Sequence, residues 1–346
     1  MLQLCAAATL SLATPLTLYT SDVCLGHDPG AKGKKKDGSP NWHPESVKRL
    51  TRLLEAKDEW RAELGSELLQ IRELEQDVTE EQLLRVHTPQ YLKRLEGLFA
   101  NTQRPGPACR VNLDRDTVLS AGTQAAAARA AGLVVAAVDD VLERAKAGGD
   151  GAPPRAFVMV RPPGHHAEAG KGGGFCVYNN VLLGVAHAQA AHGLGNVAIL
   201  DFDVHHGNGD AEISFCDPTR LYASSHESEL WPMTGAEWGC DGLHGQLLNC
   251  PLPVGCGPDE FRAAWRDVLL PAVRDFGAEA VFLSAGFDAH AADPTATMTL
   301  GEEDFAWLTQ EVAQLGLPIV SVLEGGYNVD ALEKCVRAHV RALVHS

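Results

Sequence analysis

The stretch NVAILDFDVHHGNGD, residues 196–210, decides the fold of this chain of 346 residues. It begins with the apolar run Val197–Leu200, which is bounded by glycines and is typical of a buried strand. Asp201, Asp203 and His205 follow at alternate positions, and alternate side chains of an extended chain point to the same side. Because unpaired buried charge is costly, these groups need a partner, and a divalent metal ion is the simplest one. A salt-bridged loop is the alternative interpretation.

Composition limits the class of protein. The chain is 45% hydrophobic, which is enough for a large core, and it contains no run of 18 apolar residues that predicts a membrane span. Its net charge of -16 argues against direct nucleic-acid binding and suits a neutral or cationic substrate. The nine cysteines form no CxxC pair, so we expect neither a disulfide framework nor a cysteine zinc site. A reducing intracellular compartment, the cytoplasm before nucleus or organelle, is the expectation.

The first fifteen residues, MLQLCAAATLSLATP, are rich in alanine and leucine. They lack the positive start of a signal peptide and the arginine of a transit peptide, so we interpret residues 1–15 as a leader or disordered segment of undecided type. We expect residues 16–346 to form one domain. The segment GGDGAPPR, residues 148–155, interrupts a long alanine-rich stretch, and we interpret it as a loop because the candidate site residues all follow it.

Short apolar runs alternate with helical patterns over most of the chain. Strands are predicted over residues 16–19, 156–160, 197–200, 221–224, 280–284 and 318–323, and helices from residue 45 and over 79–98, 120–147, 180–192, 258–276, 301–315 and 329–344. Residues 26–44 are predicted to be a surface loop, and Glu45 is expected to stabilise the dipole of the helix it begins. This alternation predicts an α/β fold with a mostly parallel central sheet and helices on both faces.

Candidate site residues follow four of the predicted strands. In chain order they are Arg161, His165 and His166, then Asp201, Asp203 and His205, then Gly286, Asp288 and His290, and finally Glu324, Gly325, Gly326 and Tyr327. Ligands of open α/β sheets bind beyond the carboxyl ends of the strands. Four such placements on one edge of a sheet indicate a single active site.

Asp203, His205 and Asp288 are the candidate metal ligands. Two carboxylates, one imidazole and an open position are typical of a catalytic zinc site. A metal ion there would make water more acidic and polarise a carbonyl group. Other divalent ions, iron included, would accept the same residues.

A hydrolytic metal site also needs a base. His165 and His166 follow the rigid turn Pro162–Gly164, and an imidazole near neutral pKa can take a proton from water and return it to a leaving amine. Asp201 is placed to orient one histidine, and Asn208 can hydrogen-bond the other without adding charge. Considered alone, a pair of histidines is more often structural, but its position after a strand favours catalysis here.

Two further segments carry weaker signals. Tyr327 follows two glycines, where its hydroxyl could donate to a developing oxyanion, and a tyrosine packed in a turn is the alternative. The glycines before Phe175, Gly174 among them, let the backbone approach a ligand closely, with Phe175 lining a narrow channel. A flexible loop is the alternative for this segment.

Five motifs in order carry a family resemblance. They are RPPGHHAE at 161–168, GGGFCVYNN at 172–180, DFDVHHGNG at 201–209, SAGFDAH at 284–290 and LEGGY at 323–327. Together they resemble the zinc-dependent histone deacetylase and acetylpolyamine amidohydrolase superfamily, and HHGNG and SAGFDAH are similar to its class II and bacterial-like branch. The resemblance covers roughly residue 43 to the end of the chain. It implies a single-domain arginase/deacetylase-like fold and a deacetylase catalytic domain.

The resemblance also implies roles for single residues. By this resemblance, Asp203, His205 and Asp288 bind one catalytic Zn²⁺. His166 is implied to be the principal general base and acid, with His165 as its electrostatic partner paired with Asp201, and Asn208 replaces an aspartate of the class I branch. Tyr327 is implied to stabilise the transition state, and Gly174 and Phe175 to bind the acyl-lysine substrate. A structural K⁺ is implied as well. It would be bound by backbone carbonyls around Asp201, Asp203 and His205, together with Ser224 and Ser225.

Two positions depart from the family pattern. The usual aromatic-Pro-Gly-Thr-Gly run is Trp231-Pro232-Met233-Thr234-Gly235 here, and we expect Met233 to narrow or reshape the second wall of the substrate tunnel. Thr295 stands about where polyamine-selective relatives have a glutamate. Its presence weakens the case for a polyamine substrate.

The functional hypotheses follow from these residues. The first is a zinc amidohydrolase that removes acetyl or related acyl groups from lysine side chains of peptides or proteins. The alternative keeps the chemistry and changes the substrate to an acetylated polyamine or another small amide. A catalytically silent acyl-lysine-binding protein and an arginase-like dimanganese enzyme are the other two, although the second set of metal carboxylates that an arginase needs is not visible in the sequence.

Overall fold

The computed structural model describes residues 13–34, 36, 40–104, 109–148 and 151–346. Most of the predicted leader at residues 1–15 lies outside the described residues, as does Lys35 in the middle of the lysine run. Within the described part of the chain, no helix is both long and apolar enough to cross a membrane.

Strands and helices alternate as expected. The strands are β1 Leu16–Thr20, β2 Ala31–Lys34, β3 Pro40–Trp42, β4 Leu69–Glu73, β5 Val111–Asn112, β6 Val118–Leu119, β7 Arg155–Val158, β8 Val197–Asp201, β9 Arg220–Glu227, β10 Gly239–Asp241, β11 Leu247–Leu252, β12 Ala280–Ala285 and β13 Ile319–Leu323. The helices are α1 Lys48–Leu64, α2 Glu80–Leu83, α3 Pro89–Thr102, α4 Thr123–Ala147, α5 Asn180–His192, α6 Asn208–Ser214, α7 Pro258–Ala264, α8 Leu270–Phe276, α9 Glu302–Ala313 and α10 Val329–His345.

A nine-stranded sheet forms the centre of the molecule, in the order β10-β11-β9-β8-β12-β13-β7-β1-β4. Every pairing in it is parallel except the one between β10 and β11. The strand of the organising motif, β8, pairs with β9 on one side and β12 on the other, and Asp201 lies opposite both Ser224 and Ser284. Parallel pairing brings the carboxyl ends of β7, β8, β12 and β13 to one edge, as predicted.

Helices cover both faces of this sheet. One layer contains α4 and α5, which pack on each other and on the central strands, and the other contains α1, α9 and α10. The central strands β1, β7, β8, β12 and β13 are buried along their whole length. Strands buried on both faces read as continuous apolar runs, which is why the sequence showed them clearly. The predicted α/β class is confirmed.

Several predicted boundaries were wrong for local reasons. The helix predicted over 79–98 is two helices, because Thr88 caps a new start at Pro89 by accepting a hydrogen bond from the backbone N–H of Tyr91. The predicted loop at 26–44 contains the β2–β3 hairpin. The strands β4, β10 and β11 were not predicted. β4 and β10 lie at the two edges of the sheet and lack the continuous apolar run of a central strand, and Asn249 and Pro251 interrupt the apolar run of β11.

Glu45 does not act on a helix dipole as expected. Helix α1 begins at Lys48, and the Glu45 carboxylate is fully buried between three cationic or hydrogen-bonding groups. Glu45 Oε2 accepts a hydrogen bond from Arg161 Nη2 at 2.6 Å, and its carboxylate also contacts Arg49 at 3.2 Å and His27 at 3.2 Å. Burial alone would raise the pKa of Glu45, but the Arg161 charge and the His27 contact hold it well below its usual range.

We predict that Glu45→Gln lowers the free energy of unfolding by about 3–5 kcal/mol, because it leaves two buried arginines without a counter-charge. Glu63→Gln is the control, since Glu63 makes surface ion pairs with Arg337 and Arg341, and such pairs are worth about 0–1 kcal/mol. Urea unfolding of both variants measures the difference. Equal small losses in the two variants would contradict the assigned importance of the buried cluster.

Candidate active site

The loop after β8 is shaped by its own aspartates. The backbone N–H of Asp203 donates to Asp201 Oδ1 at 3.1 Å, and the backbone N–H of His205 donates to Asp203 Oδ1 at 2.9 Å. Each carboxylate therefore closes the turn that carries the next functional residue. These two hydrogen bonds fix the backbone of the loop, and so they hold Asp201, Asp203 and His205 in place at the end of β8.

The three predicted metal ligands converge at this edge. His205 Nδ1 lies 3.0 Å from Asp203 Oδ1 and 3.2 Å from Asp288 Oδ2. One candidate ligand atom from each residue lies within 4.8 Å of the other two. Both carboxylates are fully buried and come from adjacent parallel strands, β8 and β12.

The electrostatics of this cluster fit a bound cation. Burial raises the pKa of Asp288 to about 7, and the nearby Asp203 charge adds to the rise. Burial opposes a charge on His205, but hydrogen bonds to both carboxylates raise its pKa to about 10. Two buried carboxylates that oppose each other's ionisation, with an imidazole between them, are the donor set of a divalent metal site.

Two glycines leave room for these carboxylates. A Cβ atom at Gly325 would lie 2.0 Å from Asp288 Oδ2, and one at Gly286 would lie 2.1 Å from Asp203 Oδ2. The backbone N–H of Gly325 also donates to Asp203 Oδ2 at 2.8 Å. Any larger residue at either glycine would displace one of the candidate metal ligands.

The histidine pair is arranged as predicted. His165 Nδ1 lies 3.1 Å from Asp201 Oδ2, and His166 Nδ1 lies 2.9 Å from Asn208 Oδ1. The Tyr222 hydroxyl donates to the same Asp201 oxygen at 3.0 Å. The two imidazole rings are 3.9 Å apart between centroids.

The two histidines differ in charge. Burial lowers the pKa of His165, but the Asp203 and Asp201 charges outweigh it and raise that pKa well above its usual value. Burial lowers the pKa of His166, and the neighbouring His165 and His205 lower it further. These surroundings therefore favour a neutral His166 beside a positively charged His165.

The hydrogen bonds around Asn208 fix the tautomer of His166. Asn208 Nδ2 donates to Glu168 Oε1 at 2.7 Å, which leaves Asn208 Oδ1 to accept from His166 Nδ1. Nε2 of His166 then carries a lone pair. His166 lines the pocket described below, so this lone pair is available to a proton donor there.

Two residues hold the histidine loop and the tyrosine loop together: Glu324, which the sequence placed at a strand end, and Arg49, which sequence reasoning missed. The buried Glu324 side chain accepts hydrogen bonds from the backbone N–H groups of Gly164 at 2.6 Å and His165 at 3.1 Å. Arg49 Nε donates to the carbonyl of Gly326 at 2.6 Å, and its Nη2 donates to the carbonyl of Glu324. The four-residue spacing of Glu45 and Arg49, which suits an ion pair, was the available signal for the role of Arg49.

Tyr327 lines the same pocket as His166 and His205. The Arg49 guanidinium lies 4.9 Å from the centre of its ring, and the Phe175 ring is 5.7 Å away between centroids. Its backbone N–H donates to Asp293 Oδ2 at 2.5 Å. Burial, and then the Asp288 charge, raise the pKa of its hydroxyl well above the usual value, so the hydroxyl stays protonated and can donate.

These groups open into one narrow pocket of about 190 Å³. The residues that line it are Lys32, Asp116, His166, Gly174, Phe175, His205, Trp231, Thr295 and Tyr327. Gly174 and Phe175 both have positive φ, 56° and 71°. A Cβ atom at Gly174 would lie 2.4 Å from the Trp231 ring and 2.5 Å from the His166 ring, so the glycine brings backbone against both.

The second wall of the pocket differs from expectation. Trp231 supplies it, with its ring 4.5 Å from that of His166 between centroids. Met233, which was expected to narrow the tunnel, is 69% exposed and does not line the pocket. Thr295 does line it, and so do Lys32 and Asp116, which the sequence did not single out because they come from hairpins far along the chain from the motifs.

A second group of potential ligands is satisfied without a metal. His187 Nε2 and His192 Nε2 each lie 2.7 Å from Asp139 Oδ1. Their other ring nitrogens face the cations of Arg85 at 3.2 Å and Lys146 at 3.5 Å, which donate to them. This arrangement fixes protons on both Nε2 atoms.

Comparison with known proteins places the chain in a family. A model of the histone deacetylase domain matches residues 43–343. "Histone deacetylase 10, chloroplastic" of Oryza sativa is 32% identical over 94% of this chain and 73% of that protein, and "Polyamine deacetylase HDAC10" of Homo sapiens is 35% identical over 86% and 44%.

A solved structure agrees. The HDA15 HD domain superposes with a TM-score of 0.82 at 28% identity, covering 96% of this chain and 88% of that one. The domain match spans the five motifs and the convergent ligands described above. This chain therefore belongs to the histone deacetylase family, whose members are zinc-dependent hydrolases of acetylated amides.

Proposed function

We propose that this chain removes acetyl or related acyl groups from lysine side chains of proteins, and that Asp203, His205 and Asp288 hold one zinc ion for that reaction. The observation that carries the proposal is the convergence of Asp203, His205 and Asp288 beside a pocket of about 190 Å³ that His166 and Tyr327 both line. When bound, zinc supplies Lewis acidity that polarises the amide carbonyl and makes water more acidic.

The proposed general base and acid is His166. Its Nε2 takes a proton from water as the water oxygen bonds to the amide carbon, and Asn208 holds the ring in place. It then returns the proton to the amide nitrogen as the C–N bond breaks, which releases lysine and acetate. His165, held charged by Asp201 and Asp203, supports the negative charge that develops beside it.

Tyr327 is the proposed donor to the developing oxyanion. Its protonated hydroxyl can hydrogen-bond an oxygen in the pocket, and Asp293 and Arg49 fix its backbone and ring. Phe175 and Trp231 are proposed to enclose the methylene groups of the substrate.

A protein substrate is favoured over a polyamine because Thr295 adds no negative charge to the pocket. Acetylated polyamines and other small amides form the second candidate class. The human relative named as a polyamine deacetylase, at 35% identity, supports that alternative. Direct nucleic-acid binding is not proposed, given the net charge of -16.

We also propose a structural potassium ion behind the zinc site. The in-register pairing of β8 with β9 supports it, because it places Asp201 beside Ser224, next to the loop carbonyls expected to bind the ion.

A reducing intracellular compartment, the cytoplasm first, is our proposal for the location of the protein. Eight cysteines in the described part of the chain are free, which supports it.

We predict that Asp288→Ala weakens zinc binding at least about 100-fold, because it removes one of three proposed ligands. Elemental analysis after dialysis measures the bound zinc. Asp139→Ala is the matched control, since it disrupts the other histidine–aspartate group, and it should keep one equivalent. Full zinc content in Asp288→Ala would overturn the ligand assignment.

We predict that Tyr327→Phe keeps zinc and loses about 100- to 1000-fold in kcat, which is the usual cost of removing one oxyanion donor. Tyr178→Phe, a substitution at a buried tyrosine outside the pocket, should leave kcat within about twofold. Near-normal kcat in Tyr327→Phe would refute the proposed role.

We predict that Asn208→Asp moves the acid limb of the kcat/KM profile to higher pH by about one unit. A carboxylate beside Nδ1 favours the protonated imidazole, so the pKa of His166 rises and the neutral base is lost at a higher pH. Asn196→Asp, at the distant start of β8, is the control and should leave the profile in place. An unchanged acid limb in Asn208→Asp would remove His166 as the base.

A further inference from the structure

An ion pair lies at the pocket, outside the proposed catalytic groups. Lys32, on strand β2, places its ammonium nitrogen 3.2 Å from Asp116 Oδ1. The same nitrogen lies 5.6 Å from the centre of the Phe175 ring, which is one wall of the pocket. Both charged residues line the pocket together with Thr295.

These two groups set the charge that an arriving substrate meets. Apart from the histidines, Lys32 and Asp116 are the charged side chains among the lining residues, and their opposite charges pair with each other. Their side chains are 38% and 48% exposed, so solvent and substrate reach both. Without Lys32, the Asp116 carboxylate would make this surface acidic and attractive to a polycation.

Lys32 also has unused capacity to bind an anion. An ammonium group carries three hydrogen-bond donors, and within the residues that the structure describes its one carboxylate partner is Asp116. The position beside Phe175 holds the remaining donors next to the wall that the lysine chain of a substrate would pass. A carboxylate close in sequence to an acyl-lysine would come within reach.

We propose that Lys32 is a specificity-determining residue that favours acyl-lysine in peptides with a neighbouring acidic side chain and disfavours polycationic acetylated amines. This inference rests on the proposed deacylase function and names its substrate class more closely. The effect is electrostatic, and the side chains that produce it are partly exposed to solvent. We expect it to be about three- to fivefold for each substrate charge, and to weaken at high salt.

The test compares kcat/KM of the zinc-loaded chain on four substrates. Three are acetyl-lysine peptides of one length with aspartate, serine or lysine next to the acetyl-lysine, and the fourth is acetylspermidine. The expected order is aspartate, serine, lysine, with acetylspermidine poorest. Lys32→Glu should reverse the order of the three peptides and improve acetylspermidine, and Lys32→Gln should bring the peptides within about twofold of each other.

Lys34→Glu is the matched control. Lys34 is an exposed lysine two residues further along the same strand, and it does not line the pocket. Its substitution by glutamate changes the net charge of the chain by the same amount as Lys32→Glu. Its substrate order should match that of the unmodified chain. An order that is the same in Lys32→Glu and the unmodified chain, or one that changes equally in Lys34→Glu, would overturn the inference.

Binding measurements separate this inference from the proposed function. Calorimetric Kd values of the same peptides need no turnover, so they report the effect of Lys32 even if no acetate is released. Absence of turnover on all four substrates, with a Kd ratio that depends on Lys32, would reject the deacylase proposal alone. Normal turnover, with Kd and kcat/KM ratios between the peptides that do not change when Lys32 is substituted, would reject the specificity role alone.

Discussion

The structure depends on the meeting of two buried carboxylates, Asp203 and Asp288, at the carboxyl ends of adjacent parallel strands. Burial and the neighbouring Asp203 charge raise the pKa of Asp288, and a cation between the two carboxylates would relieve that cost. The surroundings follow from this constraint. Gly286 and Gly325 leave space for the carboxylate oxygens, and His205 is drawn between them. The parallel sheet supplies the rigid edge that holds the whole arrangement in register.

A second buried charge cluster connects this edge to the helix layer. Glu45 binds Arg161, which begins the histidine loop, and Arg49, which reaches the carbonyls of the tyrosine loop. Glu324 then binds the backbone of the histidine loop from below. The proposed base and the proposed oxyanion donor are therefore positioned by one continuous network. Such networks are specific because breaking one member leaves the others buried without a partner.

The sequence predicted the centre of the site better than its rim. Asp203, His205 and Asp288 were visible because alternate positions and strand ends are local patterns, and the family resemblance added the role of each. The walls were not visible in the same way. Whether Trp231 or Met233 faces the pocket depends on how a loop folds over the histidines, and Lys32 reaches Phe175 only through a hairpin that carries no apolar pattern. Arg49 was hidden because a buried arginine on a helix looks like a surface one.

The most direct test of the account is a zinc titration of the metal-free chain, followed by release of acetate from an acetyl-lysine peptide. The account predicts that activity rises in proportion to zinc and reaches its plateau at one equivalent per chain, since one set of three ligands converges at the pocket. A plateau that needs two manganese ions per chain would favour the arginase-like alternative. Acetate release that is independent of added metal would contradict the central claim.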